Sequence, residues 1–241
     1  MSSASPKYQV PPKLFKKLGS ESFAEENTRT SQRLLLSPKT VLARKGKTQV
    51  LVVIPRVIRE SIDYLREEER DRTLGLFRIP GNSENVDKLL EKFESPEFEE
   101  VNILEKFRPP VHDVANLMKR YLIRTPQGLI GDEDKKDLLN IVAKGIKEDK
   151  DKQLMAYEVV VRALMIEESQ RTCLAFVLRF LLAISGEQED GRMTVEALAR
   201  MFAPIVIRDY ESKPIDQLKL IDQMIILTEI LIWNALELFK Y

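Results

Sequence analysis

The chain has 241 residues, of which 44% are hydrophobic and 32% charged, and this is the composition of a soluble globular domain large enough to bury a core. No apolar run reaches the length of about 18 residues that spans a membrane, and the first residues lack the apolar core of a secretion signal. Because Cys173 is the only cysteine, no internal disulfide is expected, and a reducing, cytoplasmic location is the natural inference.

The net charge of zero conceals an asymmetry along the chain. Residues 1–50 hold ten Lys or Arg against three Glu, so the remaining residues carry an equal negative excess. Residues 1–39 are rich in Ser, Thr, Pro and Lys, which predicts a flexible basic arm ahead of a folded domain at residues 40–241. One interpretation of the arm is a solvated linker. The other is a weak contact with an acidic partner or with acidic lipid head groups, and the lipid contact would associate the protein with a membrane.

From residue 50 onward, apolar residues recur at helical spacing with almost none of the alternation that is typical of strands. Helices are predicted, in chain order, after Pro55, from Asn82 or Ser83, from His112, from Asp132, over 157–165, over 173–184, from Thr194 to before Pro204, and from Pro214. Eight or nine helices with short connections predict an all-α bundle. The apolar stretch 224–238 contains Glu229 and Asn234, so we interpret it as a buried helix.

The segment 75–81, Gly-Leu-Phe-Arg-Ile-Pro-Gly, interrupts this helical pattern. Its two glycines permit backbone turns that side chains disfavour, and Pro80 cannot donate a backbone hydrogen bond, so the segment is predicted to be a loop. Its three apolar side chains are expected to pin the loop to the core and leave Arg78 pointing outward. A guanidinium held in this way suits the phosphate oxygens of a partner, whereas the simpler alternative is an arginine in a surface ion pair.

Conventional catalytic chemistry finds little support in the sequence. His112 is the single histidine, and Cys173 occupies an apolar helical position where cysteines are usually inert. Neither G-x-x-x-x-G-K-[ST] nor G-x-G-x-x-G occurs, so we expect the chain to bind no nucleotide of its own. We therefore predict no metal, no cofactor and no nucleic acid, and a role in which one residue completes the site of another protein.

Three segments, taken in order, form a recognisable pattern. Ile54-Pro55 comes first, then the segment 75–81, and then His112-Asp113-Val114-Ala115-Asn116-Leu117-Met118-Lys119-Arg120-Tyr121-Leu122. In this order and spacing they resemble the Rho GTPase-activating protein (RhoGAP) domain, whose pattern includes G-[IL]-F-R-x-x-G and H-D-V-A-x-L-x-K-x-[FY]-L-R-E-L-P. The resemblance continues to Phe202-Ala203-Pro204 and covers roughly residues 40–241.

This resemblance implies a RhoGAP-like helical bundle that stimulates GTP hydrolysis by a GTP-bound Rho-family GTPase, of the Rho, Rac or Cdc42 type. Arg78 is then the arginine finger inserted into the GTPase, so the protein is an activator in signal transduction and not itself the hydrolase. The resemblance also implies a group of residues that bind the GTPase or support the finger, namely Gly75, Phe77, Gly81, Lys119, Arg120, Pro204 and Ile205.

The sequence departs from the family pattern at places that matter for mechanism. The family has asparagine where this chain has Ile205 and arginine where it has Ile123, and Gly128 replaces the second proline of the following turn. An isoleucine cannot make the hydrogen bonds of either polar residue. Two functions therefore remain open, an activator that works through Arg78 and a catalytically weak or inactive module that binds a GTPase or another signalling partner.

Overall fold

The computed structural model describes residues 7–11, 40–45, 48–99, 101–125, 128–186, 193–208 and 214–239. A helical domain occupies most of these ranges and follows a short antiparallel hairpin of strands β1 (Thr40–Lys45) and β2 (Thr48–Val53). Thr40 pairs with Val53 and Lys45 with Thr48. The hairpin was not predicted, although the valine-rich run in residues 50–53 is typical of strands.

Nine α-helices lie within the described ranges, and the predicted all-α bundle is confirmed for the part of the chain that follows the hairpin. They are α1 (Arg56–Arg66), α2 (Ser83–Glu94), α3 (Ile103–Phe107), α4 (Val111–Arg124), α5 (Asp132–Lys147), α6 (Lys152–Ala163), α7 (Glu168–Ile184), α8 (Val195–Val206) and α9 (Pro214–Trp233). Short 3₁₀ turns occupy Glu67–Arg72, Pro96–Phe98 and Glu237–Phe239.

Side chains cap two helices as predicted. The Asn82 side chain accepts a hydrogen bond from Asn85 N (3.1 Å) at the start of α2, and Thr194 accepts one from Ala197 N (3.2 Å) at the start of α8. The prediction that α8 ends before Pro204 is wrong, because the helix continues to Val206 with this proline in its last turn. Pro204 has no N–H to donate to the carbonyl four residues earlier, and the helix ends two residues beyond it.

The core is built from the apolar faces of most of the helices, with the largest shares from α7 and α8. The predicted buried helix at 224–238 is confirmed, since Leu227, Ile230 and Leu231 of α9 are fully buried. Within the residues described, none of the helices is both long enough and apolar enough to cross a membrane.

A short piece of the N-terminal segment packs on α9 and the residues that follow it. Asn234 joins the two, because its Oδ1 accepts from Val10 N (3.0 Å) and its Nδ2 donates to Tyr8 O (2.9 Å). Both Tyr8 and Val10 are buried. Residues 12–39 of the predicted flexible arm lie outside the described residues, and their flexibility stays a prediction.

A buried ion pair fixes the start of α1, the helix that leads to the predicted loop. Arg56 Nε donates to Glu60 Oε1 (2.6 Å), and Arg56 Nη1 donates to Phe98 O (2.8 Å). Glu60 Oε2 accepts from Ile103 N (3.0 Å) at the start of α3. Each charged group is thus hydrogen-bonded, which is the condition under which a buried pair is tolerated.

Candidate functional site

The predicted loop lies between the 3₁₀ turn at Glu67–Arg72 and α2, and its backbone is closely hydrogen-bonded. Gly75 O accepts from both Arg78 N (2.9 Å) and Ile79 N (2.8 Å). Gly75 has a φ of +72°, and a Cβ at this position would lie 2.7 Å from Ile79 Cδ1. The positive φ disfavours any side chain here, and the Ile79 side chain would also have to move, so glycine is the residue that suits this turn.

Phe77 anchors the loop to the core. Its side chain is almost fully buried, and its ring makes edge-to-face contacts with Phe202 (5.0 Å between centroids) on α8 and Phe180 (6.1 Å) on α7. Phe77 also has a φ of +66°, which is strained for a residue with a side chain. The aromatic packing offsets this strain and holds the backbone next to Arg78 in one place. The contribution of Phe180 was not recognised from the sequence, where it looks like any apolar residue of a core helix.

Arg78 is exposed at the outer side of this loop. Its backbone N–H is bonded to Gly75 O, but its guanidinium makes no hydrogen bond or ion pair with any residue that the structure describes. The five donors of the guanidinium are therefore available to a group outside the chain.

Lys119 of α4 reaches the same loop. Its Nζ donates a hydrogen bond to Phe77 O at 2.6 Å, at the peptide that leads into Arg78. Partial burial lowers the pKa of Lys119 below the ordinary lysine value, and no carboxylate in the described ranges pairs with it. The lysine thus braces the loop and adds a positive charge close to its base.

The far end of the loop lies directly against the start of α4. A Cβ on Gly81 would come within 2.7 Å of Asp113 Cα and His112 O, so only glycine fits. The buried Asp113 carboxylate accepts from Asn82 N (2.7 Å) through Oδ1 and from Asn85 Nδ2 (2.9 Å) through Oδ2. The loop is therefore held at both ends, at Phe77 by the aromatic cluster and at Gly81 by α4.

We expect Asp113→Ala to lower the free energy of unfolding by about 1–3 kcal/mol, because Asn82 N–H would lose its acceptor in a partly buried place. Urea denaturation of the two proteins measures this change. Asp87→Ala is the matched control, because Asp87 is a solvent-accessible α2 carboxylate paired with Arg120 (2.7 Å). Its removal should cost clearly less stability than the removal of Asp113, because ion pairs exposed to solvent contribute little. Equal losses in the free energy of unfolding for the two variants would contradict the role of Asp113 in holding the end of the loop.

Arg120 points to α2 and not to the loop. Its Nη2 donates to Ser83 Oγ (2.9 Å), and its Nη1 pairs with Asp87 (2.7 Å). Arg124, one turn further along α4, pairs with the same carboxylate at 3.2 Å. The hydrogen bond from Arg120, together with the two positive charges, lowers the pKa of Asp87. In this structure Arg120 therefore joins α2 to α4, and its predicted contact with the GTPase stays a prediction.

The remaining predicted residues lie on α8 and α4 in contrasting surroundings. Pro204 is exposed, whereas Ile205 is only 5% exposed and belongs to the core. Ile123 is 50% exposed and follows Lys119 by one turn of α4. The side chain of Ile205 is thus almost closed to solvent, while that of Ile123 is open to it.

Cys173 lies in the core, where the sequence predicted an inert thiol. Cys173 is buried, and burial raises the pKa of its thiol to about 12, so it stays protonated at neutral pH. In the parts of the chain that the structure describes, no three His, Cys, Asp or Glu side chains are grouped so as to hold a metal ion.

The family model described as the RhoGAP domain matches residues 55–211, which include the loop, α4 and α8. The chain therefore belongs to the RhoGAP domain family, and its resemblance to this family is confirmed.

Two curated relatives are both named as Rho GTPase-activating proteins. The chain is 33% identical over 167 residues to Rho GTPase-activating protein 19 of Xenopus laevis, covering 62% of this chain and 30% of that protein. It is 24% identical over 161 residues to Rho GTPase-activating protein 22 of Mus musculus, covering 67% of this chain and 22% of that protein. The chain thus spans less than a third of the length of either relative.

Solved structures show the same fold. The BH domain of Graf, the GTPase regulator associated with focal adhesion kinase, superimposes with a TM-score of 0.64 at 22% identity, over 77% of this chain and 94% of that chain. Human Rho GTPase activating protein 15 gives a TM-score of 0.62 at 15% identity, over 77% of this chain and 84% of that chain. At these identities the comparison supports the fold alone.

Proposed function

We propose that this protein accelerates GTP hydrolysis by a GTP-bound Rho-family GTPase and that Arg78 enters the nucleotide site of the GTPase as an arginine finger. The observation that carries the proposal is the exposed guanidinium of Arg78, free of partners among the described residues, on a loop fastened at both ends. In the transition state of GTP hydrolysis, negative charge spreads over the oxygens of the γ-phosphoryl group. The guanidinium neutralises this charge through its planar set of donors.

The anchoring of the loop supports catalysis because a fixed donor needs little reorganisation when the transition state forms. Lys119 fixes the carbonyl of Phe77, so the backbone on the N-terminal side of Arg78 cannot swing freely. Gly81 fixes the other side against α4. The loop backbone is therefore already ordered before binding, which lowers the entropic cost of placing Arg78.

The proposal is tested by single-turnover GTP hydrolysis with a panel of Rho-type, Rac-type and Cdc42-type GTPases, with and without this protein. We expect acceleration for at least one GTPase, saturating as the concentration of this protein rises. Absence of both binding and acceleration across the panel would refute the proposal and favour an unrelated role for the helical scaffold.

The second candidate is a module that binds a GTPase without accelerating hydrolysis, and it is favoured by Ile123 and Ile205 in place of polar family residues. The two functions differ in what they bind best. An activator binds the GTPase loaded with GDP and aluminium fluoride, a transition-state mimic, more tightly than the same GTPase loaded with a non-hydrolysable GTP analogue. A binding module shows little difference between the two.

We expect Ile205→Asn, which installs the family residue, to lower the free energy of unfolding by about 1–3 kcal/mol, because it places an amide in an apolar environment. Chemical denaturation and the hydrolysis assay are run on the same samples. Ile123→Asn is the control with the same change at an exposed position, where the effect on stability should stay within about 0.5 kcal/mol. Faster hydrolysis by a fully stable Ile205→Asn protein would contradict the buried placement of this residue.

A further inference from the structure

Exposed apolar side chains occur on the loop that carries Arg78 and on α4. Leu74 is 68% exposed and Ile79 is 42% exposed on the loop, and Ile123 is 50% exposed on α4. Single exposed apolar residues are common on protein surfaces and need no explanation. These three differ in that they belong to the two elements joined by the hydrogen bond from Lys119 to the loop.

The contacts of the loop with α4 place Ile123 in this surface. The loop runs along α4 in the opposite direction, with Gly81 against His112 and Phe77 against Lys119. Beyond Lys119 the next residue on the same helix face is Ile123, about 6 Å further along the axis. Ile79 folds back over Gly75 at the outer side of the loop.

The charges of this surface are also unusual. Arg78 and Lys119 make no ion pair with a described residue, whereas Arg120 and Arg124 on the neighbouring face of α4 share Asp87. The surface therefore offers two uncompensated positive charges beside apolar side chains. A partner surface that matches it carries a negatively charged group next to apolar side chains, such as a bound phosphate with apolar side chains beside it.

We propose that Ile123, assisted by Ile79, makes an apolar contact with the GTPase next to its phosphate site and selects a GTPase with an apolar side chain at that point. This inference rests on the proposed function and names a determinant of partner choice. Contact with an apolar side chain removes both surfaces from water. An acidic side chain facing Ile123 would lose its hydration without gaining a partner, and such a GTPase is rejected.

The test measures the dissociation constant for each GTPase loaded with GDP and aluminium fluoride. We expect Ile123→Ala to weaken binding to the preferred GTPase by about tenfold, which is the scale of a central apolar contact. In the hydrolysis assay, Ile123→Ala should raise the concentration of this protein that gives half-maximal acceleration far more than it lowers the rate at saturation. Ile146→Ala, at an isoleucine of α5 that is 48% exposed, is the control and should bind within about twofold of the unchanged protein.

A second variant, Ile123→Arg, tests whether Ile123 makes an apolar contact of its own or only lacks the polar contact that an arginine would make at this position. We expect it to bind the preferred GTPase more weakly than Ile123→Ala does and to bind an acidic GTPase in a salt-dependent way. Tighter binding of Ile123→Arg to every GTPase, or unchanged binding of Ile123→Ala, would overturn the inference while leaving the Arg78 mechanism intact. If the unchanged protein neither binds nor accelerates any GTPase, this inference fails together with the proposed function.

Discussion

Arg78→Ala should remove nearly all of the acceleration of GTP hydrolysis while the GTPase still binds. Arginine fingers in complexes of small GTPases with their activators are worth about 10³ to 10⁵ in rate, so a large loss is expected even if this protein is a modest activator. Binding should persist because the rest of the surface is unchanged and Arg78 supports no other described residue through its side chain. Single-turnover hydrolysis at saturating protein, together with equilibrium binding, measures the two effects separately.

Two further variants define what Arg78 contributes. Arg78→Lys keeps the charge but not the planar pair of donors, and we expect it to recover only a small part of the activity. Arg72→Ala removes an exposed arginine six residues earlier, which pairs with Glu69 at 2.9 Å, and should leave hydrolysis unchanged. Full activity of the Arg78→Ala protein would rule out the finger. Equal losses in Arg78→Ala and Arg72→Ala would indicate a general effect of surface charge.

Phe77→Ala should lower the free energy of unfolding by about 3–5 kcal/mol, the usual cost of deleting a fully buried phenylalanine. The change also removes the edge-to-face contacts with Phe180 and Phe202 that offset the strain of a positive φ at Phe77. Denaturation with urea or guanidinium measures the loss. Hydrolysis assayed at a temperature where the variant remains folded should fall as well, because the loop no longer has a fixed base.

Phe107→Ala is the matched control for this change. Phe107 is a partly exposed aromatic residue of α3 that contacts Phe98 with centroids 5.7 Å apart, remote in sequence from the loop. Its loss should cost clearly less free energy than the loss of Phe77 and should leave hydrolysis unaffected. Similar costs for the two variants would show that Phe77 is not the anchor of the loop.

For Ile123 and Ile205, the sequence did not show which side chain is buried and which is exposed. Both replace a polar residue of the family pattern, and from the sequence both counted as losses at the partner surface. The structure separates them, because Ile205 faces the core and Ile123 faces solvent. Periodicity could not make this distinction on α8, where Phe202, Ile205 and Val206 are all apolar and a proline lies between them.

The β hairpin was not predicted, whereas Lys119 was predicted to support the finger without its bonding partner, Phe77 O, being identified. The valine-rich run that forms β2 follows a basic segment, and composition outweighed its strand propensity in the prediction of an arm and a helical domain. The contact between Lys119 and Phe77 joins residues 42 positions apart. The bond from Asp113 to Asn82 spans 31 positions. Such hydrogen bonds depend on how helices pack, and no local sequence pattern predicts which atoms they join.

The sequence by itself determined the helical class of the domain, the loop with its arginine and the family to which the chain belongs. It did so because these properties depend on local features: helical periodicity, glycine and proline at fixed offsets, and an ordered set of motifs. Only the tertiary structure decided that Arg120 is occupied with α2, that Ile205 is buried and Ile123 exposed, and that Phe77 carries a strained backbone held by two distant rings. These outcomes depend on which helix faces meet, and that is settled by packing the whole core at once.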